Sequence, residues 1–206
     1  MALVRAYCHG YRSPYSHLDG GHDLYVCQLG FIWALVSLGA DSAVQALSRP
    51  WRRLESDRRR AESWLMLLES VNGWLQLSDD FSDLRKSDKG TGSYWYGCAF
   101  TRLAAAQLLG VTWLCDVEAM VRSGSAVLAS GQSREGDFAG LDASGRWHVL
   151  EAKGRSNPEE KGLMEDAKDQ ARAVEEISGT KPDTASASLA QLYRRPITVL
   201  MEDPPG

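Results

Sequence analysis

The chain has 206 residues, 44% of them hydrophobic, and a formal net charge of −4. That length suits one large domain or one domain with an extension, with enough apolar residues for a sizeable core. The acidic balance excludes a uniformly basic nucleic-acid-coating surface, so any phosphate contact must come from local patches.

Residues 1–20 are rich in Tyr, Gly and His and read as loop. The apolar run 24–40 is at the short limit for spanning a bilayer, and Asp23 and Asp41 flank it where basic anchors would be expected. It starts too late, and without a basic leader, for a signal peptide. A buried helix over 24–38 in a cytoplasmic protein with no membrane partner is the expectation. Residues 42–77 read as helix, with a stripe of Trp64, Leu67, Leu68, Val71, Trp74 and Leu75. Arg49, Arg52, Arg53, Arg58, Arg59 and Arg60 cluster there, either as a phosphate track or as a solvated helix face. Residues 78–93 are Ser-, Asp-, Lys- and Gly-rich and read as a linker. They divide a helical N-terminal region, 1–85, from a second domain, 90–206. Cys8, Cys27, Cys98 and Cys115 form no CxxC pair. Reduced thiols are the plain reading, and a structural zinc among Cys8, His9, His17, His22 and Cys27 is the alternative.

The second domain begins with a helix over 94–109 that ends at Gly110, followed by strand-like runs at 111–117 and 125–129. Residues 136–153 then read as a β-hairpin. Ala143-Ser144-Gly145 fits a three-residue loop that wants glycine at its third position. In that register Asp142 opposes Arg146 and Asp137 opposes Glu151. Facing side chains on such a pair lie about 4.5–5.5 Å apart at Cβ. Glu151 and Lys153, two apart on a strand, share a face. Two carboxylates and an ammonium at one point are costly to hold together unless something binds there, and a divalent metal with a phosphate would satisfy all three. A solvent-exposed Glu–Lys pair of little energetic weight is the alternative.

Asp137, Glu151, Ala152 and Lys153 resemble the active-site motif of the PD-(D/E)xK nucleases, the restriction-endonuclease-like superfamily, with Gly136 in the place of the motif's proline. The specific part of the resemblance is residues 136–153. It implies an α/β fold in which a mixed β-sheet is flanked by helices, here behind an α-helical N-terminal part. It also implies a metal-dependent nuclease acting on nucleic acid, DNA in the first place. Mg²⁺, with Mn²⁺ as a substitute, would be held by Asp137, Glu151 and the carbonyl of Ala152. Lys153 would serve catalysis, and Arg155 would lie near the bound phosphate.

A helix over 158–178 follows, with Asn157 as N-cap, Glu160 completing a capping box and Gly179 as its stop. Gln170 falls on its stripe of Leu163, Ala167, Val174 and Ile177. RecB-like members of the superfamily place a catalytic glutamine there with Tyr four residues on; here that position is Val174. A half-solvated Gln is the other reading. The superfamily's additional helical acid has no counterpart in 94–109; Asp116, Glu118 and Glu135 are the nearest candidates. A polar Thr/Ser/Ala stretch and a strand over 197–201 complete the chain. A nuclease-like module that binds nucleic acid or protein without cutting remains the alternative function, and the chain leaves open a homodimer or a further domain of a larger protein.

Overall fold

The computed structural model describes residues 1–40, 43–131, 135–158 and 161–203. The first 26 residues form a hairpin where a loop was expected. β1 (Ala2–His9) pairs antiparallel with β2 (Gly20–Val26), Ala2 facing Val26 and Cys8 facing Gly20. Ala2, Val4, Ala6 and Cys8 alternate into the core, and Leu24 and Val26 join them. That period of two outweighs the Tyr and His content. Helix α1 (Gln28–Val36) is correspondingly shorter than expected, and α2 (Ala43–Leu47) and α3 (Trp51–Leu65) follow.

The helix expected through residue 77 stops at Leu65. β3 (Leu68–Val71) and β4 (Trp74–Leu77) form a second hairpin, turning through Asn72 and Gly73 at φ 52° and 83°. Two consecutive positive φ values make the primed turn that Asn-Gly favours, and no helix accommodates them. The expected linker is structured as well: α4 (Asp79–Asp83) lies in it, and α5 (Lys86–Leu108) begins in it and buries Gly92 and Ser93. The expected α-helical N-terminal part is therefore a mixture of strands and helices, and its strands belong to the main sheet.

The second half contributes β5 (Cys115–Asp116), α6 (Val117–Arg122), β6 (Ala126–Leu128), β7 (Phe138–Leu141) and β8 (Trp147–Arg155). α7 (Leu163–Arg172), β9 (Val174–Ile177), β10 (Thr184–Gln191) and β11 (Thr198–Glu202) follow. The helix expected over 158–178 is cut at both ends. Gly162 caps α7, Asn157 and Pro158 precede it in a bend, and Glu160 lies outside the described residues. Val174 and Ile177 leave the helix to pair with β6, because two β-branched residues gain more from a strand partner than from a helix end. Gly179 turns the chain after that strand.

Among the described residues nine strands make one mixed sheet, in the order β3-β4-β1-β11-β10-β8-β7-β5 with β2 also on β1; β6 and β9 pair separately. β8 lies between β10, to which it is parallel, and β7, to which it is antiparallel. α5 and α7 both pack on β8 and β10. They cover opposite faces: Leu150 and Ala152 join the core with α5, whereas Val149, Ala187 and Leu189 pack with Ala167 and Ala171 of α7. A strand covered on both faces needs small or apolar side chains. This explains β10, the polar stretch of the sequence reading. Its hydroxyls are satisfied inside: Thr184 meets His148 Nδ1 at 2.9 Å, Ser186 accepts from Tyr11, and Ser188 accepts from Thr101. Tyr96 of α5, fully buried, donates to the Trp64 carbonyl at 2.6 Å and packs on Phe31, Phe81 and Phe100, fixing α5 against α1, α3 and α4. Among the described residues no helix is long and apolar enough to cross a membrane.

Candidate active site

The β7–β8 hairpin has the register its loop dictates. Leu141 faces Trp147 and Phe138 faces Leu150. Gly145 sits at φ 77°, its N–H bonded to the Asp142 carbonyl at 3.0 Å. One step beyond the paired residues, Asp137 lies across from Glu151. The two are tied through their backbones: Asp137 N–H donates to Glu151 Oε2 at 3.0 Å, and Ala152 N–H donates to Asp137 Oδ2 at 2.9 Å. Lys153 Nζ bonds to Glu151 Oε1 and, at 3.2 Å, to Gln170 Oε1 of α7. Asp137 just before β7, Glu151 and Lys153 of β8, and Gln170 of α7 thus share one polar cluster.

Its electrostatics are those of a site short of positive charge. Glu151 is 1% exposed. Burial first, and the neighbouring Asp137 second, push its carboxyl up to about 7, against the pull of Lys153. Asp137 is raised as well, mainly by burial and further by Asp116, while the Ala152 N–H and Lys153 pull it down. Two carboxylates against one ammonium leave the pair holding a proton in a range where free carboxylates have lost theirs. A cation in contact with both would reverse those shifts. Because a strand residue's N–H and C=O point to the same side, the Ala152 carbonyl also points toward Asp137. Two carboxylates and a carbonyl suit one Mg²⁺, which commonly takes few protein ligands and fills the rest with water and phosphate. Among the described residues no three His, Cys, Asp or Glu side chains gather as a cation cage.

Three residues border this cluster, and of them only Asp116 stands among the candidates named from the sequence. Asp116, at the end of β5, sits opposite Phe138, caps α6 through the Ala119 N–H at 3.1 Å and raises Asp137. Glu118 instead points into solvent and pairs with Arg122 at 2.8 Å. Tyr94 and Cys98, one turn apart on α5, both feel the Asp137 charge. Cys98 is pushed up to about 12, chiefly by burial, which disfavours its thiolate. The signal that could have placed this helix beside the site is a pair of glycines. A Cβ on Gly97 would lie 2.7 Å from the Gly154 nitrogen, so α5 crosses β8 beside Lys153 with no space for a side chain.

Compared with known proteins, the chain matches no family model, no curated protein and no solved structure. The site therefore rests on its own geometry.

Arg155 lies at the end of β8 opposite Gln191, half-buried and on the strand face of Glu151 and Lys153. Most of the arginine cluster is engaged in ion pairs on α3 and its flank. Arg49, Arg53 and Arg60 converge on buried Asp57, and Arg58 and Arg59 hold Glu55. The Cys/His group of the N-terminus is dispersed: His17 and His22 bond to backbone carbonyls, and Cys27 caps α1.

Proposed function

We propose that this chain is a metal-dependent nuclease of the restriction-endonuclease-like type, hydrolysing phosphodiester bonds of nucleic acid, DNA in the first place. The observation that carries the reading is the juxtaposition of Asp137 and Glu151 on neighbouring strands, with Lys153 on the same face and Gln170 holding that lysine. Asp137, Glu151 and the Ala152 carbonyl would hold Mg²⁺ or Mn²⁺, which when bound polarises the scissile phosphate and lowers the pKa of a coordinated water. Lys153 would balance charge growing on the phosphoryl oxygens. Gln170 is the positioning residue that keeps the ammonium over the site, and Arg155 would hold a flanking phosphate.

The test is cleavage of a small panel of duplex and single-stranded DNA and RNA with Mg²⁺, with Mn²⁺ and in excess chelator. Metal-dependent cutting by the natural chain, lost in Asp137→Ala and Glu151→Ala, is expected. Equal cutting in chelator would refute the metal site. A second reading, a non-cutting module of the same fold that binds nucleic acid or protein, is favoured by the net charge of −4 and by α5, which carries Asp88 but no acid near the cluster. Failure to cut any substrate, together with failure to bind Mn²⁺, would make it the better reading.

A further inference from the structure

A second polar concavity lies at the C-terminal end of α7. A cavity of about 610 Å³ opens between the 12–15 loop, the junction of α7 with β9, the 181–185 segment and Asp203. Three cations line it: Arg12, Arg172 and Lys181. Arg12 and Lys181 are exposed, and Arg172 has an exposed Asp169 at 3.8 Å. Two carboxylates line it as well. Asp203, 8% exposed, is anchored by the Ala185 N–H at 2.9 Å and the Ser186 hydroxyl at 3.4 Å. Asp183 lies 3.8 Å from Arg146. Val174 and Pro182 supply an apolar wall.

This lining selects its ligand. Three cations call for an anion, and guanidinium groups suit phosphate oxygens. Two carboxylates in the same wall disfavour a compact inorganic anion and call for hydroxyl or amino donors on the same ligand. The volume falls within the range that holds a small organic molecule, roughly 300–1,000 Å³. A phosphate joined to a flat, partly apolar body with hydroxyl and amino donors is a nucleotide. We propose that this cavity binds a phosphorylated nucleoside, with its phosphate on Arg12, Arg172 and Lys181 and its sugar hydroxyls or base amino group on Asp183 and Asp203. The ligand is either a free mononucleotide or the phosphorylated end of a strand, two sources of one chemistry.

Calorimetry on the full chain in chelator tests this, because without metal nothing is cleaved and the Arg12 and Lys181 variants assign the binding to the cavity. The probes are 5′-AMP, adenosine, inorganic phosphate and a short oligonucleotide with and without a 5′-phosphate. Binding of 5′-AMP about tenfold tighter than adenosine or phosphate is expected, with about a tenfold loss in Arg12→Ala and again in Lys181→Ala. Both positions are exposed, so the variants should keep the natural melting temperature. Phosphate-dependent capture of the oligonucleotide would identify a strand end, and capture of 5′-AMP alone a free nucleotide; either supports the site. No binding of any phosphorylated probe at about 1 mM would overturn it. So would adenosine binding as well as 5′-AMP, or undiminished 5′-AMP binding in the double variant.

Discussion

Gly97 of α5 and Gly154 of β8 meet backbone to backbone. A Cβ on Gly97 would come within 2.7 Å of the Lys153 carbonyl carbon, and one on Gly154 within 1.8 Å of the Ser93 oxygen. The helix is thereby set directly over the strand segment that carries the candidate lysine. Gly97→Ala should cost about 1–3 kcal/mol, because neither backbone can yield without shifting the other. Chemical denaturation measures it, and an unchanged midpoint would show that the crossing has slack.

Among the described residues Lys153 bonds to Glu151 and Gln170. Under the nuclease reading, Lys153→Ala should lower kcat about 10²- to 10³-fold while leaving Mn²⁺ affinity largely intact. Gln170→Ala should give a smaller loss, because it acts through the lysine. Single-turnover cleavage and Mn²⁺ titration separate the two effects. Full rate without the lysine would remove it from the mechanism.

Burial makes Glu151 a pH-dependent liability. Its folded-state carboxyl is raised from 4.5 to about 7. A raised carboxyl stabilises the fold fully below its unfolded value, and that contribution is lost as pH rises through the folded value. Glu151→Gln removes the titration. The variant should therefore gain in melting temperature relative to the natural chain between about pH 5 and about pH 8. A gap that stays constant across this window would show that the carboxylate is not penalised.

Added Mg²⁺ or Mn²⁺ should act in the opposite sense. A cation needs both carboxylates ionised, so metal stabilisation should be larger at about pH 8 than at about pH 5. It should vanish in the Asp137→Ala, Glu151→Ala double variant. Thermal melts with metal and with chelator at the two pH values give the answer, and equal shifts in the double variant would place the metal elsewhere.

Asp57, 7% exposed, pairs with Arg49, Arg53 and Arg60 at 3.5, 2.9 and 3.6 Å. Asp57→Ala should cost about 2 kcal/mol, less than a fully buried pair because Arg53 and Arg60 reach water. Arg58→Ala and Arg59→Ala should leave nucleic-acid binding unchanged, since both side chains hold Glu55; a retardation assay checks this.

The hairpin at the site was legible because its determinants are local. Gly145 sets a three-residue turn, the turn sets the register, and the register brings Asp137 across from Glu151 and puts Lys153 on the same face. The Asn72-Gly73 turn was equally local; reading the apolar residues around it as a helical stripe concealed it. Other features had no local cause. Thr184–Gln191 becomes a strand because α5 and α7 close over both its faces, which admits only small side chains whose hydroxyls find distant partners. The stretch after Arg172 turns to strand because Val174 and Ile177 have β6 to pair with. Ala2–His9 occupies the middle of the sheet because β11, at the far end of the chain, lies parallel beside it. Partners so distant in sequence leave no mark on the residues between them. The sequence by itself determined the turns and the alternation of buried side chains; only the tertiary structure decided which strands pair, where helices stop, and that Gln170, Asp116 and α5 gather around the two carboxylates.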